Sequence, residues 1–243
     1  MLPLTPDIVA APDRFVLHLA SATAICADFH LGFEATMGAA GTPMPDFTSA
    51  PLLAAWQRLL ASNPERIIIA GDLFHCDAPD AITRDAAVSL LTSVPKAMRV
   101  IVVPGNHDPA PAALQAIFAG TGIEVAEFAT AGDYHIYHGH ELPPGVKGRS
   151  RPPLILGHQH PAVVLADRVQ SAKMLCFATI SAKHFGPVIL LPPFSAAPLG
   201  TNLLSARHWI IDLPLPELAA IRIAGIVRDQ VLDFGPLSGL MQS

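Results

Sequence analysis

Acidic, amide and imidazole side chains recur along this chain in five short segments whose order and spacing suit metal chemistry. No single segment would be decisive, because an Asp-X-His triplet or a Gly-Asp pair arises by chance in many sequences. Together the segments supply enough ligands for two metal ions. They are Asp28-Phe29-His30, Gly71-Asp72, Gly105-Asn106-His107-Asp108, His138-Gly139-His140 and Gly157-His158-Gln159-His160.

The ligand types narrow the metals that could bind. Carboxylates, imidazoles and an amide oxygen, without paired thiolates, suit Mn, Fe, Zn or Co, of which we expect Mn first. Residues two apart in an extended chain project to the same side, so Asp28 and His30 can share one cation, and His158 and His160 repeat that geometry. Asp72 is the natural bridge between two ions about 3.5–4 Å apart, which together can turn a bridging water into hydroxide and hold two phosphate oxygens.

Brief, β-branched segments alternate with segments of helical periodicity, which predicts an α/β sheet with parallel central strands. In such sheets ligands bind beyond the carboxyl ends of the strands. Asp28, Asp72 and Asn106 each follow a predicted strand and are therefore expected at one edge. The predicted strands are 15–19, 24–27, 66–70 and 99–103, and the predicted helices are 49–62, 81–93 and 111–118.

After about residue 130 the pattern changes to short strands without long helices, which predicts a second, mostly antiparallel sheet packed on the first. We find no internal repeat and no linker, so residues 1–243 are expected to form a single domain. His138 follows the first of these later strands. The candidate strands are 134–137, 154–156, 162–165, 174–178, 188–191 and 208–212, followed by a closing hairpin within 218–234.

The net charge and the cysteine content restrict the possible binding partners and the cellular compartment. The net charge is −5 with 15 Lys and Arg, which argues against an extended surface for nucleic acid and leaves room for a local basic patch. Lys147, Arg149 and Arg151 form such a cluster between two ligand segments, where they could reach a phosphate backbone or simply form a solvated loop. Three cysteines without CxxC spacing favour a reduced, cytoplasmic setting.

The sequence predicts neither a secretion signal nor a membrane span. The first residues lack a basic region and are interrupted by prolines, so they do not form a signal peptide. No stretch of about 18 apolar residues is free of Pro, Gly or charge, so we expect no membrane-spanning helix.

The five segments resemble the DxH, GD, GNH(D/E), H and GHxH blocks of the calcineurin-like metallophosphoesterase superfamily, in the same order, from Asp28 to His160. The resemblance implies a four-layer α/β/β/α sandwich with two packed mixed sheets, and an enzyme that hydrolyses a phosphate ester with a dinuclear centre. It also implies the ligands: Asp28, His30, Asp72 and His160 for the first ion, and Asp72, Asn106, His138 and His158 for the second.

The same resemblance implies roles for two residues that are not metal ligands. His107 would contact the phosphate and help the leaving group depart, and Asp108 would orient His107. Two further histidines, His75 and His140, could touch the substrate or support the ligands, or could have ordinary structural or surface roles.

Finer features are similar to the ICC-like group that includes the DNA-ligase-associated metallophosphoesterases. This likeness implies a phosphodiesterase or nuclease rather than a monoesterase, and makes a ligase or helicase a candidate partner. The features are Leu31-Gly32-Phe33-Glu34, Gly41-Thr42-Pro43, Gly71-Asp72-Leu73-Phe74-His75, Gly157-His158-Gln159-His160-Pro161 and Leu191-Pro192-Pro193-Phe194-Ser195.

Two alternative functions remain open from the sequence. The first is a nucleotide or nucleotide-sugar-lipid pyrophosphatase, for which the Pro-rich segments 35–45 and 192–204 could wall an acyl groove. His75 and His107 weigh against it, because lipid-A-pathway pyrophosphatases of this fold usually have Asp and Arg there. The second is a non-catalytic scaffold, which the complete ligand set disfavours.

Overall fold

A computed structural model describes residues 1–142, 146, 152–166, 171–182, 185–197, 200–205 and 220–241. The basic cluster, for which the sequence left open a contact with the phosphate backbone or a solvated loop, lies outside the described residues, as does one predicted strand. They are Lys147, Arg149, Arg151 and the strand 208–212.

The first sheet has seven strands in sequence order. The first four pair antiparallel and the last four pair parallel, so the fourth strand belongs to both arrangements. The central strands are almost wholly buried because both faces of the sheet are covered. The strands are β1 (Leu2–Pro3), β2 (Ile8–Ala10), β3 (Val16–His18), β4 (Thr23–Cys26), β5 (Arg66–Ala70), β6 (Arg99–Val103) and β7 (Glu124–Val125).

Four α-helices within the described residues accompany this sheet. Three of them match predicted helices to within one residue, because their apolar residues recur at helical spacing. The other was not predicted; it is seven residues long and none of its residues is buried. The helices are α1 (Phe33–Ala39), α2 (Ser49–Ala61), α3 (Ala81–Thr92) and α4 (Pro111–Ile117).

The second sheet has nine strands among the described residues, in the order β14-β11-β12-β13-β10-β9-β8, with β15 paired to β12 and β16 paired to β15. Strand β10 runs parallel to both of its neighbours, and β11 runs parallel to β14, so the sheet is mixed. Its strands are β8 (Ala129–Ala131), β9 (Tyr134–Tyr137), β10 (Leu154–Leu156), β11 (Pro161–Ala166), β12 (Ser171–Ala182), β13 (Phe185–Leu190), β14 (Thr201–Asn202), β15 (Ile221–Val227) and β16 (Gln230–Pro236). The antiparallel pair β15 and β16 is the predicted closing hairpin.

The two sheets pack face to face, and the alternation of side chains along β5 shows how. Ile67 and Ile69 belong to a core that includes Trp56 of α2. Ile68 points the other way, into a core shared with Ile155 of β10 and with the rest of the second sheet. The two packed mixed sheets with flanking helices confirm the predicted α/β fold class.

Candidate metal centre

The carboxyl ends of three parallel strands meet at one edge of the first sheet. The register pairs β4, β5 and β6 side by side, so the residues that follow them, Asp28, Asp72 and Asn106, lie together. The second sheet contributes His138 after β9, and the segment from His158 to His160 after β10. All seven predicted metal ligands therefore lie at this edge.

Five of these seven residues have a left-handed backbone conformation. The φ angles are 60° at Asp28, 50° at His30, 52° at Asp72, 62° at His158 and 46° at His160. Non-glycine residues rarely adopt this conformation, and each instance costs on the order of 1–3 kcal/mol. Only nine non-glycine residues in the described part of the chain have positive φ, so the strain is concentrated at this edge.

Backbone hydrogen bonds hold the two ligand loops of the first sheet against each other. The Asp28 N–H donates to the Gly71 carbonyl and the His30 N–H donates to the Asp72 carbonyl, each at 2.9 Å. The His158 N–H in turn donates to the Asp28 carboxylate at 3.2 Å. The strained loops therefore support one another through these hydrogen bonds.

At two positions a side chain of the site comes so close to the backbone that only glycine fits. Gly71 has φ of 86°, and a Cβ atom there would overlap the imidazole of His138. A Cβ atom at Gly105 would overlap the carboxylate of Asp72. Any other residue at either position would displace a predicted ligand.

The first group of predicted ligands comprises Asp28, His30 and His160, whose nitrogen and carboxylate oxygen atoms lie within 4.8 Å of one another. The Nε2 atom of His160 is 3.2 Å from the Asp28 carboxylate and 3.5 Å from Nε2 of His30. Burial lowers the pKa of His30 to about 4, against the opposing charges of Asp28 and Asp72. Its ring is therefore neutral and has a lone pair to offer a metal ion.

The second group comprises Asp72, His138 and His158, with Asn106 beside them. Nδ1 of His138 must donate to the Ala70 carbonyl, 2.9 Å away, because a carbonyl oxygen can only accept. Nε2 of His138 then faces two oxygens, Oδ2 of Asp72 at 3.3 Å and Oδ1 of Asn106 at 3.1 Å. Two oxygens around one nitrogen favour a positive charge there, either a proton on Nε2 or a bound cation.

The pKa of His138 also indicates that a positive charge is favoured at this position. Burial lowers its pKa, but the hydrogen bond with Asp72 and the charges of Asp28 and Asp72 outweigh burial and raise the pKa to about 9. Burial and the charge of His138 lower the pKa of the neighbouring His158 to about 4. The buried carboxylates thus favour a positive charge at His138. The carboxylate, imidazole and amide donors around it fit divalent ions.

Asp72 lies between the two groups. Its Oδ1 accepts the backbone N–H of His107 at 2.9 Å. Its Oδ2 lies 3.3 Å from Nε2 of His138 and 3.8 Å from Nε2 of His30. Burial would raise the pKa of this carboxyl, but the hydrogen bonds and charges around it hold the pKa well below its usual range. Asp72 is therefore ionised, and a single oxygen faces both groups.

His107 lies on the loop after β6. Its Nδ1 donates to the His75 carbonyl at 3.2 Å, which leaves Nε2 as the nitrogen that can exchange a proton. Buried Asp108 accepts the backbone N–H groups of Phe74 and Gly105, both at 2.8 Å. Burial raises the pKa of Asp108 to about 6 in spite of these two bonds. Asp108 thus acts on His107 through the backbone of the loop.

His75 contacts both a predicted ligand and His107. Its Nδ1 lies 3.2 Å from Nδ1 of His30, and its ring stacks on that of His107 with centroids 5.3 Å apart. Burial and the charge of His107 lower its pKa. His30, His75 and His107 also form a third set of nitrogens close enough to share an ion, which sequence reasoning did not anticipate.

His140 lies beside the second group. Its ring centroid is 5.2 Å from that of His138 and 6.1 Å from that of His158. Its Nδ1 is buried and has no hydrogen-bond partner among the described residues. Burial and the charge of His138 lower its pKa. The structure therefore brings His140, like His75, to the centre.

The sequence did not predict that Arg14 supports this edge of the sheet. Its guanidinium donates to the carbonyls of Phe194 and Ser195 at 3.1 and 2.8 Å. The N–H groups of the same two residues donate to the carbonyls of Ala27 and Asp28. Arg14 thus holds a distant segment behind the first ligand, and no local signal in the sequence could have identified that contact.

Comparisons with known proteins agree with this architecture. The family model for calcineurin-like phosphoesterases matches residues 22–159, more than half of the chain. No curated protein matches the sequence. Among the solved structures that match is the Pseudomonas putida nuclease MPE, which is 24% identical, with 93% of this chain and 94% of that chain covered and a TM-score of 0.63. The likeness to MPE shows a common fold.

The fold and its clustered ligands define a metal-dependent hydrolase. The chain belongs to the calcineurin-like phosphoesterase family. It is accordingly a metal-dependent phosphoesterase, and the family implies divalent metal ions as cofactors. Within the part of the chain that the structure describes, no helix is long and apolar enough to cross a membrane.

Proposed function

We propose that this chain hydrolyses phosphodiester bonds with two divalent metal ions, Mn²⁺ first among them, and that its substrate is a nucleic acid. The observation that carries the proposal is the position of Asp72 Oδ2, 3.3 Å from Nε2 of His138 and 3.8 Å from Nε2 of His30. One carboxylate oxygen between two histidine-containing groups is the arrangement expected of a bridging ligand.

The ions would be held by the two groups that Asp72 joins. When bound, they supply a water of lowered pKa as nucleophile and neutralise negative charge on the phosphate. The chain's own residues prepare the groups in advance. The Ala70 carbonyl fixes the ring of His138, and the His107 N–H fixes the Asp72 carboxylate. The first ion would be held by Asp28, His30, Asp72 and His160, and the second by Asp72, Asn106, His138 and His158.

His107 is proposed to donate a proton to the departing oxygen. Its Nδ1–H is committed to the His75 carbonyl, so the proton must come from Nε2. A phosphodiester releases an alkoxide that needs a proton at neutral pH, and a positioned imidazole supplies one efficiently. Asp108 supports this role by tying the backbone at Gly105 to that at Phe74.

Three observations support a diester of nucleic acid as the substrate. MPE, which shares the fold, is a nuclease. The finer motifs resemble the DNA-ligase-associated group. His75 and His107 occupy positions at which pyrophosphatases of this fold usually have Asp and Arg. The single domain, the cytoplasmic location and a ligase or helicase partner stay predictions from the sequence.

Turnover of matched diester and monoester substrates tests the proposal. The protein is stripped with a chelator, reloaded with Mn²⁺, and assayed on bis-p-nitrophenyl phosphate, p-nitrophenyl phosphate, short single-stranded DNA and a nucleotide-sugar lipid. We expect the diester to be hydrolysed at least about tenfold faster than the monoester, a difference of about 1.4 kcal/mol in activation free energy. We also expect the DNA to be cleaved and the lipid to remain intact.

The matched control is Asp72→Asn, which keeps the size of the side chain and removes its charge. Faster hydrolysis of the monoester or of the lipid pyrophosphate would contradict the proposal. Absence of turnover on every substrate after reloading would contradict it as well.

A further inference from the structure

We infer that a groove beside the metal centre binds the nucleobase that flanks the scissile phosphate, with the base stacked on Phe128 and its exocyclic amino group bound by Glu127 or Glu141. This inference rests on the proposed function and deepens it. No sequence motif pointed to the groove, which becomes visible only when β8 and β9 are paired.

The groove has a volume of about 660 Å³ and two walls. One wall is the loop after β6, from Pro104 to Pro111. The other is formed by Glu127 and Phe128 just before β8, by Tyr137 at the end of β9, and by residues 140–142 beyond it. Gly105 and Asp108 line the groove and also belong to the loop that holds Asp72 and His107. The groove therefore lies beside the metal centre and shares this loop with it.

Phe128 provides an ordered aromatic surface in this groove. Its ring lies over Tyr137, with centroids 5.4 Å apart and planes 20° apart, and over His135 at 5.5 Å and 17°. Residues 135 and 137 project from the same face of β9, so both lie under one face of Phe128. Phe128 is 43% exposed, which leaves an aromatic surface open for stacking.

The charges of the groove select a base rather than a phosphate. Glu127, Glu141 and Asp108 line it, and no Lys or Arg occurs among its described lining residues. Carboxylates repel a phosphate, but they accept hydrogen bonds from the exocyclic amino group of cytosine and, in the same way, of adenine. The phosphate would then lie at the cations while its flanking base enters the groove.

His140 connects the groove with the second ligand group. It lines the groove, and its ring lies near those of His138 and His158. A nucleotide whose phosphate meets the second group would therefore place its base past His140, toward Phe128. Stacking on an aromatic side chain tolerates any base, whereas the carboxylates favour those with an amino group.

The test compares Phe128→Ala with Phe47→Ala in the Mn²⁺-loaded protein. Phe47 is 44% exposed, packs against the ring of Phe33 and does not line the groove, so it matches Phe128 in exposure and in having an aromatic neighbour. The substrates are an oligodeoxyadenylate, the same oligonucleotide with abasic sites, and methyl p-nitrophenyl phosphate, which has no base. Binding of the fluorescently labelled oligodeoxyadenylate is measured in parallel by anisotropy.

We expect Phe128→Ala to lower kcat/KM on oligodeoxyadenylate by about tenfold or more, mainly through KM, as lost base stacking would. Hydrolysis of methyl p-nitrophenyl phosphate and of the abasic oligonucleotide should be unchanged, and Phe47→Ala should behave as the wild type. Glu127→Gln combined with Glu141→Gln should reduce the preference for oligodeoxyadenylate over oligothymidylate.

Equal losses on substrates with and without bases would overturn the inference, as would turnover of DNA that is indifferent to Phe128. If the wild-type protein hydrolyses neither diester yet binds oligodeoxyadenylate in a manner that depends on Phe128, the proposed function fails and the base-binding groove stands. Absence of both turnover and binding overturns both.

Discussion

The two ends of strands β4, β5 and β6 both have cavities and charged residues, but they use charge differently. At the amino end a cavity of about 630 Å³ includes Arg66 and Arg99. It is almost as large as the groove of about 660 Å³ beside the metal centre. Cavity size therefore does not identify the functional end of this sheet.

Compensation of charge does distinguish the two ends. At the amino end, Arg66 donates to Thr23 Oγ1 and to the Thr130 carbonyl. Arg99 forms an exposed ion pair with Glu124 at 3.3 Å. At this end the guanidinium of Arg66 therefore has hydrogen-bond acceptors, and that of Arg99 has a carboxylate partner. At the carboxyl end, Nε2 of His138 faces only oxygens, and the carboxylates of Asp28 and Asp72 are buried beside it without a Lys or Arg partner among the described residues, so this end favours a bound cation.

Backbone strain follows the same division once its context is considered. Asn63 at the amino end also has positive φ, 52°, but it is exposed in the turn after α2, a common place for this conformation. Asp28 and Asp72 are buried loop residues held in it by neighbouring backbone. In this protein, backbone strain therefore indicates a functional site only where the strained residues also carry buried charge.

The largest predicted effect is the loss of both ions in Asp72→Asn. Its Oδ2 faces both groups, and a neutral amide in its place removes the shared negative charge. We expect the metal content to fall from two ions per chain to below one, and diester hydrolysis to fall to background. Elemental analysis by mass spectrometry after gel filtration measures the content. A variant that still retained two ions would show that Asp72 does not bridge them.

The next effect, the loss of one ion, is predicted for Gly71→Ala. The added methyl group would overlap the ring of His138, so the second group should open while the first persists. Gly120→Ala is the matched control, because Gly120 also has positive φ, 76°, but has no neighbour within 4 Å. The control should lose only about 1–2 kcal/mol of stability from backbone strain, with two ions retained. Equal metal content in the two variants would contradict the steric account.

A slower reaction without loss of metal is predicted for His107→Ala. We expect two ions per chain and a rate on single-stranded DNA lowered on the order of 10²–10⁴-fold, as for a lost acid–base group. On bis-p-nitrophenyl phosphate the loss should be much smaller, because nitrophenolate departs without a proton. Equal losses on the two substrates would indicate that His107 binds the phosphate and does not donate a proton.

The smallest effect is predicted at the amino end. Arg99→Ala removes an exposed ion pair, which contributes about 0–1 kcal/mol, and leaves the metal centre untouched. Urea unfolding should show a change within that range, and diester hydrolysis should equal that of the wild type. A marked loss of activity would place part of the functional surface at this end and remove the contrast between the two ends.

The sequence sufficed for the parts of this account that depend on local patterns. The runs of β-branched residues in β5 and β6 predicted those strands, and the position of Asp72 just after β5 predicted its place at the edge. Helix α1 was not predicted because its seven residues, none of them buried, are too few for a clear helical periodicity. The groove around Phe128 depends on the pairing of β8 with β9, and the support from Arg14 depends on a contact some 180 residues away. Neither the groove nor the support from Arg14 can be predicted from the local sequence.

The most direct measurement is anomalous diffraction from crystals grown with Mn²⁺. We predict two peaks about 3.5–4 Å apart, both within bonding distance of the Asp72 carboxylate, one beside His30 and His160 and the other beside His138 and His158. A single peak, or peaks that Asp72 does not touch, would contradict the account.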